Sequence, residues 1–452
     1  MFGLVANRAL KPSSKLAATD WVAHDVHIAG LSDALDDACY RAMDVLLSVE
    51  AVVAKEIYHR VADLLNLEVD LLFFDTTSTY FQTGEDDEPA ARDGRGRVAP
   101  DAEVTDPVRD SGFRTYGKSK DHRDDLPQVV IGMAVTRQGI PVRVWSWPGN
   151  YNDQALIRQV KDDMRDWSLS RIVWVADRGF SSAQNRRYLQ RAGGHYIIGE
   201  KLRSGSEEAN AALSRQGRYA TITDNMQVKE VTIDDAGDRF VICFNPDEAA
   251  RDAHVRDDLL AHLTDKIDGS DTLSVTKRAE LRGQISTKPG LNRFLRVTPG
   301  GLLRIDQAAV KTEARLDGTY LLRCSDPKLS PADIAIGYKQ LLQVERGWRD
   351  MKSVLDLRPV YHHLEDRIRA HVLLCWLALL LIRVAETTTA RTWPTIRAEL
   401  DRLHLITFTG PAGTFRQTTE LTKTQRDLFA ALTIDPPKKI IEVAAPTVDE
   451  TR

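Results

Sequence analysis

VWVADRGFSSAQN, residues 173–185, is the stretch on which the reading of this chain turns. Four apolar residues run directly into Asp177, and Arg178, Gly179 and two serines follow. A short, continuous apolar run is the pattern of a strand covered on both faces. SAQNRRYLQRAGG, directly after it, reads as a helix that ends at glycines. A carboxylate closing a buried strand is either the cap of the next helix, a task Ser181 or Ser182 would do as well, or a ligand for a cation.

Working outward, EVDLLFFDTTSTYF (68–81) is dominated by Phe, Thr and Tyr and reads as a strand. QVVIGMAVTRQGIPVRVWSWP (128–148) reads as two strands turning at Arg137-Gln138-Gly139, and NDQALIRQVKDDMRDW as a helix. With HYIIGE as a further strand, residues 68–200 run β, β-hairpin, α, β, α, β. The intervening 82–112, polar and rich in Gly, Pro and charge, is expected to be a mobile loop. Residues 201–325 alternate β-prone pieces (RYATITD, VKEVTID, RFVICF, TYLLRC) with one charged helical segment near 247–284. The fold class is therefore α/β, with five regions: a helical N-terminal part (1–66), the first part of a core (67–200), a β-rich insertion (201–325), a core completion on a helix (326–390) and a helical C-terminal region (391–452).

With 452 residues, 42% hydrophobic and 28% charged, the chain has the makings of a soluble globular protein of two or three domains. Its net charge of −4 does not mark a nucleic-acid binder, but charge is uneven. Six Lys or Arg stand against two acids between Asp177 and Arg203, and five against two between Arg109 and Arg123, which is compatible with a basic face for DNA. The four cysteines are scattered, so neither a zinc module nor a disulfide framework is signalled. The apolar run VLLCWLALLLI (372–382) is too short to span a bilayer and reads as part of a core helix, so no membrane partner is expected.

LSPADIAIGYKQLLQVERGWRDMKSVLDLRP (329–359) reads as one helix, with Ser330 as N-cap and Pro331 at N1, ending before Pro359. Tyr338, Glu345 and Lys352 recur every seven residues and so share a stripe, with Trp348 beside it. From spacing alone the stripe is as well explained as a solvated face. Asp75 and Asp177 change the balance. Asp is disfavoured in strands, and a buried charge needs a partner. Two strand aspartates and a helical glutamate are hard oxygen ligands of the kind that Mg²⁺ takes, and a pair of such ions can activate water against a phosphodiester.

These motifs resemble those of the DDE transposases of bacterial insertion sequences, in the group with a Tyr-x2-Arg-x3-Glu-x6-Lys signature. Here the signature runs from Tyr338 to Lys352, with Leu341 at the Arg position, where Lys339 or Arg346 would have to substitute. FFDTTSTYF and VADRGFSSAQN match the two Asp motifs, and YGKSKDHRDDLPQ (116–128) and WPGNYNDQALI are also similar. The resemblance implies an RNase H-like mixed-sheet core. It implies Asp75, Asp177 and Glu345 as catalytic metal ligands for Mg²⁺, with Mn²⁺ able to substitute. DNA contacts would come from Tyr338, Lys352, Lys339, Arg346, Arg178, Arg186, Arg187 and Trp348. The implied partners are transposon-end and target DNA, bound by a homodimer, in the cytoplasm at the nucleoid. Relatives stack a flipped base on an insertion-domain tryptophan; none lies between Trp174 and Trp348 here, leaving Tyr219, Phe240 or Phe244 for that task. They also carry more residues before the first Asp, so the abrupt MFGLVANRALKPSSKLAATDWV raises the question of a truncated end-binding part. Two alternatives share some of these features: a transposase-derived DNA-binding protein without activity, and a metal-independent hydrolase using paired carboxylates.

Overall fold

The computed structural model describes residues 1–31, 33–64, 71–165, 167, 172–203, 205–233 and 237–445. They form two units, Met1–Ile172 with Gln340–Arg452, and Val173–Lys339.

The chain enters the first unit through α1 (Phe2–Leu10), α2 (Lys15–His24), α3 (Asp36–Ser48) and α4 (Glu50–Leu64). Strand β1 (Leu71–Tyr80) pairs antiparallel with β2 (Gln128–Thr136), and β2 with β3 (Pro141–Pro148). The turn between β2 and β3 places Gly139 at φ +80°, a backbone conformation that suits glycine. Residues 68–70 of the expected first strand lie outside the described residues. Every residue of β2 and β3 is buried, because both faces of this sheet are covered. α5 (Asp153–Asp163) lies on one face: Trp147 Nε1 donates to Gln159 at 2.9 Å and Trp145 Nε1 to Asp163 at 3.0 Å.

The loop 82–112 corrects an expectation. It is irregular but not loose, because its charges bind it to itself and to the unit. Asp110, fully buried, accepts from the backbone N–H groups of Arg92, Thr105 and Asp106, and Arg92 forms an ion pair with Glu365 at 3.0 Å.

In the second unit, β4 (Val173–Ala176), a 3₁₀ turn (Arg178–Phe180), α6 (Ala183–Leu189) and β5 (His195–Gly199) follow in the expected order. Then come α7 (Glu207–Ser214), β6 (Ala220–Thr223), β7 (Met226–Thr232), β8 (Arg239–Phe244), α8 (Pro246–Ile267), α9 (Val275–Ser286), α10 (Pro289–Asn292), the ribbon β9 (Leu295–Val297) and β10 (Leu303–Ile305), α11 (Gln307–Ala314), β11 (Thr319–Cys324) and α12 (Pro331–Lys339). The sheet order within this unit is β4-β5-β11-β8-β7-β6, with β4 and β5 parallel and the later pairs antiparallel. The segment 201–325 is thus less β-rich than its sequence suggests. Its helices carry a core of their own, formed by Leu263, Ile285, Leu291 and Phe294, which the high surface charge of α8 conceals in the sequence.

The chain returns to the first unit through α13 (Leu342–Ser353), α14 (Glu365–Thr389), α15 (Trp393–Leu400), β12 (Leu405–Gly410), β13 (Gly413–Thr418), α16 (Lys423–Ala431) and β14 (Ile440–Ala444). The C-terminal region, expected to be helical, therefore also holds a three-stranded antiparallel sheet, β12-β13-β14. TGPAG (409–413) between two β-prone runs is the hairpin signal that the expectation passed over. α14 is long and apolar enough to cross a membrane by length and composition, with mean hydropathy 1.9, but 72% of its most apolar stretch is buried. It packs on α1, α3 and β3 as a core helix, and Trp376 Nε1 donates to the Pro141 carbonyl at 2.9 Å.

The single helix expected over 330–358 is two. Ser330 does cap its start: Asp333 N–H donates to Ser330 Oγ at 3.1 Å, and Ser330 N–H to Asp333 Oδ2 at 3.3 Å. The helix then breaks at Gln340 and Leu341, at the boundary between the units. Tyr338 belongs to α12, and Glu345 and Lys352 to α13, so the three do not form one stripe.

Candidate active site

In the first unit, β1 exposes opposite faces at alternate residues. Thr76 Oγ1 donates to Asp153 Oδ1 of α5 at 2.5 Å, on one face. Thr77, on the other, accepts from Lys352 Nζ of α13 at 2.8 Å. Asp75 shares the Thr77 face, as does Met133, its directly paired neighbour on β2. α13 lies on that face: a Cβ on Gly347 would come within 2.5 Å of Met133 Cε. Farther back along the helix, Gln343 Oε1 lies 2.8 Å from where a Cβ on Gly139 would sit, beyond the start of β1 in the pairing. From Gln343 through Gly347 to Lys352, α13 therefore follows β1 in the same direction. Glu345 stands two turns before Lys352, at nearly the same azimuth of the helix. Asp75 is half-buried and Glu345 exposed.

Lys352 is committed inside the unit. Its ammonium also donates to Asp121 Oδ1 and Oδ2 at 2.9 and 3.1 Å, and Arg358 pairs with the same carboxylate at 2.8 Å. Burial lowers the Lys352 pKa, and the Asp121 charge opposes that shift without cancelling it. Asp121, inside the 116–128 segment, was not recognised from sequence as this partner; an acid in DHRDD carries no signal of which cation it will meet.

In the second unit, the capping alternative for Asp177 is settled by geometry. Ser182 caps α6 through Asn185 N–H at 3.3 Å, while Asp177 makes no side-chain cap to the 3₁₀ turn it precedes. Instead its Oδ1 accepts from the Tyr338 hydroxyl at 3.1 Å. Tyr338 stacks on Tyr320 of β11, with ring centroids 6.1 Å apart. Burial first, and the neighbouring Asp177 charge second, push the Tyr338 pKa far above the ordinary tyrosine range. Gly199 makes this contact possible: a Cβ there would stand 2.4 Å from the Tyr338 oxygen. A glycine at the end of a β-prone run was the only sequence signal for it.

The remaining candidates for DNA contact divide by exposure. Arg178, Arg187, Lys339 and Arg346 lie on the surface, Arg346 paired with Glu386 at 3.0 Å. Arg186 is largely buried, bonded to the Ser181 carbonyl and 3.6 Å from Glu200. Trp348 is 5% exposed and belongs to the core, which corrects its expected place on DNA. Phe240 is fully buried under Arg323 and cannot stack a base, whereas Tyr219 and Phe244 form a half-exposed pair. The basic runs are less positive in space than along the chain. Arg109, Arg114, Lys120 and Arg123 each pair with an acid, and Arg203 pairs with Glu313.

The donor set suits a hard divalent cation, since Asp75, Asp177 and Glu345 offer only carboxylate oxygen. Among the described residues, no three His, Cys, Asp or Glu side chains gather closely enough to hold a metal ion.

Residues 101–381 match the family described as Transposase DDE domain, a stretch that carries Asp177 and Glu345 and begins after Asp75. With the mixed α/β composition of the chain, the match identifies an RNase H-like transposase core. Among solved structures, the synaptic complex of piggyBac transposase with hairpin DNA is similar over 89% of this chain and 69% of that chain, at 13% identity and a TM-score of 0.39. A search of curated proteins finds no match.

Proposed function

The chain belongs to the DDE-domain transposase family, and on that premise we propose that it cuts and rejoins DNA at the ends of an insertion sequence. The observation that carries this reading is the family match over residues 101–381, which holds Asp177 and Glu345, together with the packing of α13 on β1, the strand that carries Asp75. Asp75, Asp177 and Glu345 are the residues that would hold Mg²⁺, or Mn²⁺ in its place. Bound there, the ions would supply an activated oxygen nucleophile and stabilise the leaving oxygen.

Water attacks the phosphodiester at the transposon end, a new P–O bond forms, and the 3′-oxygen leaves as a hydroxyl. That hydroxyl then attacks a target phosphodiester in the same way. The chain's own contribution is positioning. The Tyr338 hydroxyl fixes the Asp177 carboxylate, and Lys352 ties β1 to α13 next to Asp75. Arg178, Arg187, Lys339 and Arg346 present charge to the DNA backbone, where contacts orient but do not specify. Two ends must be joined, so the working form is a homodimer on DNA, acting in the cytoplasm at the nucleoid.

The test is incubation of the full chain with DNA flanking its own gene, with Mg²⁺ or Mn²⁺, beside EDTA and Asp177→Ala, Asp75→Asn and Glu345→Gln. Nicks at repeat ends that need the metal and all three carboxylates are expected. Binding without cleavage would leave a DNA-binding relative that has lost activity, and cleavage surviving in EDTA would overturn the metal assignment.

A further inference from the structure

A second cationic centre lies in the first unit, among residues that the reading above does not use. A cavity of about 500 Å³ is lined by Arg8, Lys15, Tyr40, Tyr361, His362 and His371. Arg8 and Lys15 are 4% and 5% exposed. Among the described residues, the Arg8 guanidinium donates only to backbone carbonyls, those of Ser13 at 2.9 Å, Leu355 at 3.3 Å and Asp356 at 3.5 Å. Among the described residues, the Lys15 ammonium has neither a hydrogen-bonding nor a carboxylate partner. His371 donates from Nε2 to the Leu357 carbonyl at 3.3 Å, which leaves its buried Nδ1 without a partner.

The electrostatics agree with this geometry. Burial first, and Arg8 second, lower the Lys15 pKa to about 8. Burial, with Lys15 and other nearby cations adding to it, lowers that of His362 to about 4. His371 is held well below its ordinary value for the same reasons. Asp356 is the one acid among the described residues that line the cavity, and it offers Arg8 its backbone oxygen. A buried ammonium with no counter-charge is costly, and an anion removes that cost.

The cavity is much larger than a monatomic ion and suits a small organic ligand. Its rim is aromatic. Tyr361 is 72% exposed, and Tyr40 and His362 meet edge to face at 6.3 Å. Tyr361 also lines a neighbouring cleft of about 490 Å³ with Tyr80, Arg114, Arg358 and His363, so aromatic faces and fixed cations continue outward from the cavity. We propose that this cavity binds the phosphate of a nucleotide, with Arg8 and Lys15 on the phosphate and Tyr361 against the base. The nucleotide is either free or the end of a DNA strand.

The experiment is calorimetric titration of the full chain with inorganic phosphate, with deoxyadenosine 5′-monophosphate and with a 5′-phosphorylated tetranucleotide. Lys15→Met and Tyr361→Ala are compared with wild type. Lys15→Met removes an unpaired buried charge and keeps the side-chain volume, so it should fold at least as stably as wild type. It should weaken the mononucleotide and phosphate by about tenfold or more, the size of one charge-assisted contact. Tyr361→Ala, an exposed position, should weaken the mononucleotide by about fivefold or more and leave inorganic phosphate unchanged. Displacement of the mononucleotide by the tetranucleotide assigns the site to a strand end, and lack of displacement assigns it to a free nucleotide. No binding by wild type, or equal binding by Lys15→Met, would overturn the proposal. The strand-end arm rests on the DNA-transfer reading and the mononucleotide arm does not, so cleavage without nucleotide binding and binding without cleavage are distinct failures.

Discussion

The Lys352–Asp121 pair offers the sharpest quantitative test. If Lys352 is committed to Asp121 and Thr77, removing it should weaken the first unit even without DNA. Both side chains are mostly buried, at 15% and 18% exposure, and the contacts are 2.9 and 3.1 Å. At that separation and an effective dielectric near 20, the Coulomb attraction is about 5 kcal/mol before desolvation. Desolvation of the two partly buried groups offsets much of that attraction, so the net coupling is well below the gross figure. We expect about 2 kcal/mol, within the range of charge-assisted hydrogen bonds. Lys352→Met should destabilise by about 2 kcal/mol. Asp121→Asn should cost about 3 kcal/mol, since Arg358 loses its carboxylate too. The double variant should fall short of the sum by about 2 kcal/mol. Urea unfolding followed by tryptophan fluorescence reads the right unit, because seven of the eight tryptophans lie in it. Additivity within about 0.5 kcal/mol would show that the pair is not formed and would return Lys352 to the surface as a DNA contact.

Three further outcomes follow from the same geometry. Gly199→Ala should push the Tyr338 ring off Asp177 and cost about 1–3 kcal/mol, whereas Tyr338→Phe should cost about 1 kcal/mol; equal stability of Gly199→Ala and wild type would refute the close approach. Burial raises the pKa values of Tyr196, Tyr320 and Tyr338, so the unfolded chain loses protons above about pH 10 that the folded chain keeps. Stability should therefore be independent of these groups below pH 10 and fall above it, and reversible ionisation of all eleven tyrosines near pH 10 in the folded state would contradict this. Ser330→Ala should remove the reciprocal cap of α12 and cost about 1 kcal/mol in thermal or urea melts, and no change would mean that the cap carries no weight.

Much of this protein could be read along the chain because the signals are local. Apolar runs without alternation gave β2, β3 and β4, since strands covered on both faces need no polar positions. Gly139 gave the hairpin and Ser330 the start of α12, each through backbone chemistry confined to a few residues. The two aspartates and the glutamate stood out because a carboxylate among apolar strand residues, or at fixed spacing in a helix, is unusual wherever the chain goes. Other features were not legible. The break at Gln340–Leu341 sits in a sequence without Pro or Gly at that point, and only the boundary between the units marks it. Trp348 looked available for DNA until packing buried it, and the basic runs looked open until distant acids met them.

The sequence by itself therefore determined β1 to β5, α5, α6 and the start of α12, and singled out three carboxylates as candidates, because propensity, capping and turn chemistry act over a few residues. Only the tertiary structure decided which charges are already spent. Lys352 meets Asp121 across 231 positions, Tyr338 meets Asp177 across 161, and Lys15 meets no acid among the described residues. Those outcomes depend on which distant groups packing brings within about 3 Å and how much water it removes around them, and neither quantity is written in the spacing of residues along the chain.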